Sequence, residues 1–193
     1  MKYLLVLLLG ISSWTGLRAQ EAYRVLRFSS PHNCFPDTAR DQGHLDGDGK
    51  QLPRAGHYDD SSVLLVVPAG VRLGTNVDLV IWFHGWHNNI DTALSFYGLA
   101  RQFAASGRNA VLVLPEAAKN AADSYGGKMR QEGMFRSLIA DVMAELKRNT
   151  VVPANAAAGR ISLAGHSGAY SVIADILEHG RQPVNEVFLF DAL

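Results

Sequence analysis

The pentapeptide Gly165-His166-Ser167-Gly168-Ala169 sets a serine in the spacing G-x-S-x-small. A serine hydroxyl is a weak nucleophile at neutral pH. It needs a histidine base and a carboxylate to orient that base, and a sharp strand-to-helix turn can present the hydroxyl to them above a sheet. Strand and helix pass close to each other at such a turn, so its flanks must be small. Gly165 and Ala169 meet that demand, with Ala169 at a position more often glycine. By chance a pentapeptide of this kind occurs in very roughly one chain in seven of this length, so its context decides its meaning. Arg160–Ala164 (RISLA) reads as a strand, and Gly168–His179 reads as a helix. That helix carries Val172, Ile173, Ile176 and Leu177 on one face, with Gly180 as its stop. The competing role for Ser167 is a cap on this helix.

Attack on a carbonyl carbon creates an oxyanion, which needs two converging backbone N–H donors. Gly168, the residue after the serine, supplies one. His84-Gly85-Trp86 directly follows the apolar run Val77–Phe83 (VDLVIWF), and the Trp86 N–H is placed to supply the other. His84, Gly85 and His166 are read as residues that shape these turns. Packing at a strand end is the alternative role for His84 and Trp86. Trp86, His87, Asn88 and Asn89 would line the acyl side, and Tyr125-Gly126-Gly127 reads as a turn at the rim.

Such groups need elements to hold them. Residues 20–28 read as a first strand. Val63–Val67, Val77–Phe83, Ala110–Leu114, Arg160–Ala164 and Glu186–Phe190 follow as short β-branched or aromatic runs. The later runs are apolar on both alternating faces, as in a parallel sheet covered on both sides. Between them lie helical patterns at Ile90–Ser106, Met129–Arg148 and Gly168–His179. Asn89 or Asp91 can cap the first helix and Gly107 can end it. The alternation predicts an α/β fold, a mostly parallel sheet with flanking helices. Catalytic groups then gather at the carboxyl ends of the strands, namely His84–His87, Pro115-Glu116, Gly165–Ala169 and Asp191. Residues 29–60 are polar and read as a loop insertion. Its Asp46-Gly47-Asp48-Gly49 has Lys50 where a calcium loop needs its next oxygen ligand, so it reads as a solvated turn.

The chain has 193 residues, 48% apolar, with 18 basic and 18 acidic side chains. This is about one domain, without the basic excess of a nucleic-acid binder. Lys2, the apolar Leu4–Leu9 and the small residues up to Ala19 read as a secretory signal peptide, residues 1–19, cut after Ala19. That predicts a secreted or periplasmic protein with no membrane anchor once the leader is removed. Loss of Lys2 and Arg18 leaves 16 basic against 18 acidic residues. Cys34 is the only cysteine, so the exported fold is held by its core, with any partner for the thiol outside the chain.

The succession VIWFHGW, AVLVLPE, RISLAGHSGAY and EVFLFDA resembles the α/β-hydrolase superfamily over about residues 63–193. It is most similar to exported members with an HG(W/H)xNN loop and a GHSG elbow. The resemblance implies Ser167 as nucleophile, Trp86 and Gly168 as oxyanion-hole donors, and no metal or organic cofactor. It implies a small-molecule or lipid ester, or an amide, as substrate. The order in that fold is serine, acid, histidine. Asp191 is a candidate acid after the sixth strand, and a strand-end aspartate that shapes the site is the alternative. His179 lies roughly 18 Å from Ser167 along its helix, and His166 points away. His84 and His87 are the alternatives within the chain. The simpler expectation is an incomplete domain over 20–193, with the seventh and eighth strands and the base histidine beyond residue 193. Alone, such a chain would be a weak or inactive hydrolase. The rival reading is a noncatalytic binding protein of the same fold, or an inactive fragment.

Overall fold

The computed structural model describes residues 22–192, so the expected leader lies outside the described residues. In chain order the elements are β1 (Tyr23–Ser29), the ribbon β2 (His44–Leu45) and β3 (Gln51–Leu52), β4 (Ser62–Pro68), β5 (Asn76–Phe83), α1 (Ile90–Ser95), α2 (Leu99–Ala105), β6 (Val111–Pro115), α3 (Met134–Arg148), β7 (Ala157–His166), α4 (Tyr170–His179) and β8 (Glu186–Phe190). Apart from the ribbon, the strands form one six-stranded sheet in the order β1-β4-β6-β5-β7-β8. Only β4 runs against its neighbours; β6, β5, β7 and β8 pair in parallel. The expected mostly parallel sheet with flanking helices is present.

Alternating residues divide the core. Val63, Leu65, Leu79, Ile81, Val111 and Val113 pack with α3 and α4 through Phe135, Leu138, Val142, Leu146, Val172 and Ile176. Leu64, Val66, Leu112 and Leu114 pack with Ile90, Ala93 and Ala100 of α1 and α2. Each large side chain so buried contributes roughly 1.5–3 kcal/mol. This two-sided burial is why β4 and β6 read as unbroken apolar runs.

Three sequence expectations change. The helix expected at Ile90–Ser106 is two helices, because Gly98 takes a left-handed φ of 64° at the start of α2. The stripe counted across that break does not share one axis, and Phe96 is 82% exposed. The expected start of the next helix at Met129 is a 3-10 turn over Gly127–Arg130. Gly133, at φ 72°, then resets the chain into α3. Gly133 N–H and Arg136 N–H donate to the His179 and Gly180 carbonyls, at 2.8 and 3.1 Å. One helix end therefore satisfies the other, a cap made across the fold. Finally, β8 is not covered on both faces: Val187, Phe188, Leu189 and Phe190 are all exposed. Phe188 and Phe190 border an apolar trough with Trp82, Leu99 and Phe103 beside α2.

Residues 29–60 are more than a polar loop. Cys34, Phe35, Leu52 and Tyr58 are fully buried and join the main core, with the Phe35 and Tyr58 rings edge to face at 5.3 Å. Asp46 Oδ1 accepts the N–H groups of Asp48 and Lys50, which is the turn expected there. Burial pushes the Cys34 thiol up to about 12. Within the described residues it serves as a small core residue.

Candidate active site

Strand register builds the site. Phe83 of β5 pairs with Gly165 of β7, and His166 pairs with Phe190 of β8. Parallel neighbours lie about 4.8 Å apart. His84-Gly85 therefore leaves the sheet beside His166-Ser167, and Asp191 leaves it one strand beyond. Ser167 has φ 52°, a left-handed conformation unusual for a residue with a side chain. It opens a 3-10 turn, Ser167–Ala169, that runs directly into α4. This is the strained strand–turn–helix junction that the pentapeptide predicts. Its steric reason is visible at Gly165, where a β-carbon would lie 2.7 Å from Ile173 Cδ1 and 3.0 Å from Ala169 Cβ.

Gly85 is just as constrained. A β-carbon there would stand 2.8 Å from the His166 carbonyl and 3.0 Å from Ser167 Cβ. The HG turn is thus pressed against the serine. Next along, the Trp86 indole covers Gly168: a β-carbon on Gly168 would lie 2.5 Å from Trp86 Nε1 and 2.6 Å from Ser124 Oγ. The indole N–H donates to Ser124 Oγ at 2.7 Å. Gly85, Trp86, Ser124, Gly168 and Ala169 enclose one small pocket. Both candidate oxyanion donors, Trp86 and Gly168, border it.

His84 is buried and has both ring nitrogens engaged. Nδ1 is 2.8 Å from the Gly85 carbonyl and so carries a hydrogen. Nε2 is 2.7 Å from Oε1 of Glu116, which is fully buried, and faces the Ala117 N–H at 3.3 Å. The Nε2–Oε1 contact is a hydrogen bond between ring and carboxyl, buried on both sides. A lone buried carboxylate costs several kcal/mol; here the imidazole and the Ile90 N–H, at 3.4 Å from Oε2, face it. His84 therefore ties β5, β6 and the start of α1 together, and neither nitrogen is free to take a proton from Ser167. This removes one of the two in-chain alternatives for the base. The other, His87, lies exposed on the same loop at φ 54°. The His166 ring borders a groove with Trp82, Asn88, Leu99 and Phe190, and its Nδ1 lies 3.1 Å from where a Gly85 β-carbon would stand. His179 ends α4, at the far end from Ser167. Asp191 is exposed with φ 51°, next to the serine by register.

Sequence reasoning missed the residues that support these turns. Glu116 was placed at a strand end but given no partner. Asp123 and Ser124 lie in a stretch without periodicity, and Arg40 lies in the polar segment. Asp123 accepts from Arg40 Nε at 2.8 Å and from the Tyr125 N–H at 2.9 Å. Burial opposes the charge on Asp123, but these bonds outweigh it and hold the carboxyl below its usual range. No local pattern signals an ion pair across 83 residues.

No protein-family model and no curated protein matches the chain. Among solved structures it is similar to a bacterial heroin esterase, at 16% identity and TM-score 0.44, over 88% of this chain and 44% of that one. It is also similar to the fluorophosphonate-binding serine hydrolase FphF of Staphylococcus aureus, at 15% identity and TM-score 0.40, over 81% and 52% of the two chains. A thermostable esterase from Pseudomonas putida gives 15% identity and TM-score 0.40, over 82% and 39%. The chain thus spans about half or less of the length of these proteins. Its own strand order, its single reversed strand and the turn at Ser167 make this an α/β-hydrolase-like fold.

Proposed function

We propose that this chain carries the nucleophile and oxyanion pocket of an exported serine hydrolase that cleaves an ester or amide bond. Ser167 Oγ attacks the carbonyl carbon while its proton passes to a histidine base. The backbone N–H groups of Trp86 and Gly168 hold the oxyanion. Collapse expels the alcohol or amine, which takes up the proton, and leaves an acyl-serine. Water, deprotonated by the same base, then releases the acid. The base is a histidine other than His84, whose ring nitrogens are both engaged, and Asp191, beside the serine by register, orients it. The substrate class is a small-molecule or lipid ester, or an amide.

One observation carries this reading: a non-glycine residue at positive φ, at a strand–helix junction, with a glycine turn pressed against it. Strain of this kind costs on the order of 1–3 kcal/mol and persists where the surroundings enforce it, as functional sites do. The test is labelling by a fluorophosphonate probe of the chain from Gln20, of a form extended past Leu193, and of Ser167→Ala in each. Labelling that needs Ser167 and is stronger in the extended form supports the proposal. Folded but unlabelled protein in both forms overturns it in favour of a binding role.

A further inference from the structure

The turn that carries Trp86 has little to hold it by itself. Trp86 is 51% exposed, and His87 beside it has a positive φ of 54°. Its anchors come from residues 116–125. Besides the His84–Glu116 pair, His87 N–H donates to the Ala121 carbonyl at 3.0 Å, and Asn120 N–H donates to the Asn88 carbonyl at 2.7 Å. Asn89 Nδ2 donates to Asn120 Oδ1, and Trp86 Nε1 to Ser124 Oγ, both at 2.7 Å.

The 116–125 segment is in turn gripped at two points by residues 37–60. At one, Lys119 N–H donates to the His57 carbonyl at 2.9 Å, His57 Nδ1 meets the Lys119 carbonyl at 2.7 Å, and Lys119 Nζ pairs with Asp60 at 2.6 Å. At the other, Arg40 bonds Asp123 while its guanidinium lies 4.3 Å from the centre of the Tyr125 ring. Tyr125 OH donates to Asp37 Oδ1 at 3.0 Å. Ser124 sits between these two held residues. Two linked layers therefore stand behind the indole that covers Gly168.

We infer that residues 37–60 brace the oxyanion turn, with Arg40 as a positioning residue that acts through Asp123 and Ser124 on Trp86. This rests on the proposed role of Ser167 for its catalytic consequence only. A planar guanidinium both bonds Asp123 and stacks on Tyr125, which an ammonium cannot do together. Displacing a supporting group by about 1 Å costs on the order of a hundredfold in rate.

The test uses Arg40→Ala, Arg40→Lys, Ser124→Ala and the double variant Arg40→Ala/Ser124→Ala, in the chain and in the extended form. Two readouts are taken on protein shown to be folded. One is the rate of fluorophosphonate labelling. The other is acrylamide quenching of Trp86, assigned by its loss in Trp86→Phe. Arg40→Ala and Ser124→Ala should each slow labelling roughly ten- to a hundredfold and make Trp86 more quenchable. Arg40→Lys should recover only part of either change, and the double variant should lose no more than the worse single one. Ser124→Ala keeps the test decisive if Arg40→Ala does not fold. Wild-type quenching and labelling in folded Ser124→Ala and Arg40→Lys overturn the brace. If wild-type protein does not label at all, the reading of Ser167 fails, while Trp86 quenching still decides the brace.

Discussion

The Gly165–Ala169 turn and the 37–60 segment both converge on Gly168, and they get there by opposite routes. The turn is local. Five consecutive residues, two of them small for a nearby steric reason, force a strand into a helix and Ser167 into positive φ. The segment is non-local. It is polar and aperiodic, yet it buries Leu52 and Tyr58 and reaches the site through ion pairs that span tens of residues. The contrast teaches that reactive geometry is encoded by neighbours in sequence, while its rigidity is encoded by distant partners. The largest mutational costs should therefore fall at the ion pairs that tie in the segment that looks least structured.

Asp123→Ala offers the strongest way to break that comparison. It leaves the Arg40 charge, only 16% exposed, without its partner. A loss of roughly 2–3 kcal/mol is expected in urea unfolding, below the full cost for a deeply buried pair. A loss no larger than a surface change produces would deny the segment its role. The same pair has a pH signature. The Asp123 carboxyl is lowered from 3.8 in the fold, so its contribution is complete above 3.8 and is lost as pH falls through the lowered value. Asp123→Asn should therefore flatten the fall in stability below pH 3.8; an unchanged acid limb would deny the ion pair.

Gly168→Ala tests the meeting point of the two regions. The added β-carbon would overlap the indole and Ser124 Oγ, with an expected loss of about 1–2 kcal/mol and greater quenching of Trp86. A neutral result would mean the contact relaxes freely. Ser167→Gly sharpens the local side: glycine occupies positive φ without strain, so stability should rise by about 1 kcal/mol while labelling disappears. Unchanged or reduced stability would show that the turn is not strained. The smallest effect is expected at Arg27→Ala, because Arg27 and its partner Asp91 are each about half exposed. Less than about 1 kcal/mol should be lost there, which sets the baseline for Asp123→Ala.

Much of the scaffold was legible because apolar runs and their alternation report burial directly. The run Glu186–Phe190 is a strand residue for residue, and Val77–Phe83 is short by one. Legibility failed where one residue's backbone overrode a side-chain pattern, as at Gly98 and Gly133. It failed again at β8, where apolar composition did not bring cover on either face. In the site, Gly165 and Ala169 could be read from steric need, Ser167 from the turn they flank and Gly85 from the turn that follows its strand. Glu116, Asp123, Ser124 and Arg40 could not, since a polar residue in a loop looks the same whether or not it has a distant partner.

By itself, the sequence determined the six strands of the main sheet, though not the β2–β3 ribbon, and that Ser167 stands at a strained strand–helix junction, because steric crowding and hydrophobic periodicity act over a few neighbouring residues. Only the tertiary structure decided that His84 is hydrogen-bonded to Glu116, that the Trp86 indole covers Gly168, and that Arg40 stands behind Trp86 through Asp123. Those contacts depend on strand order and register, which bring together residues that no spacing along the chain relates.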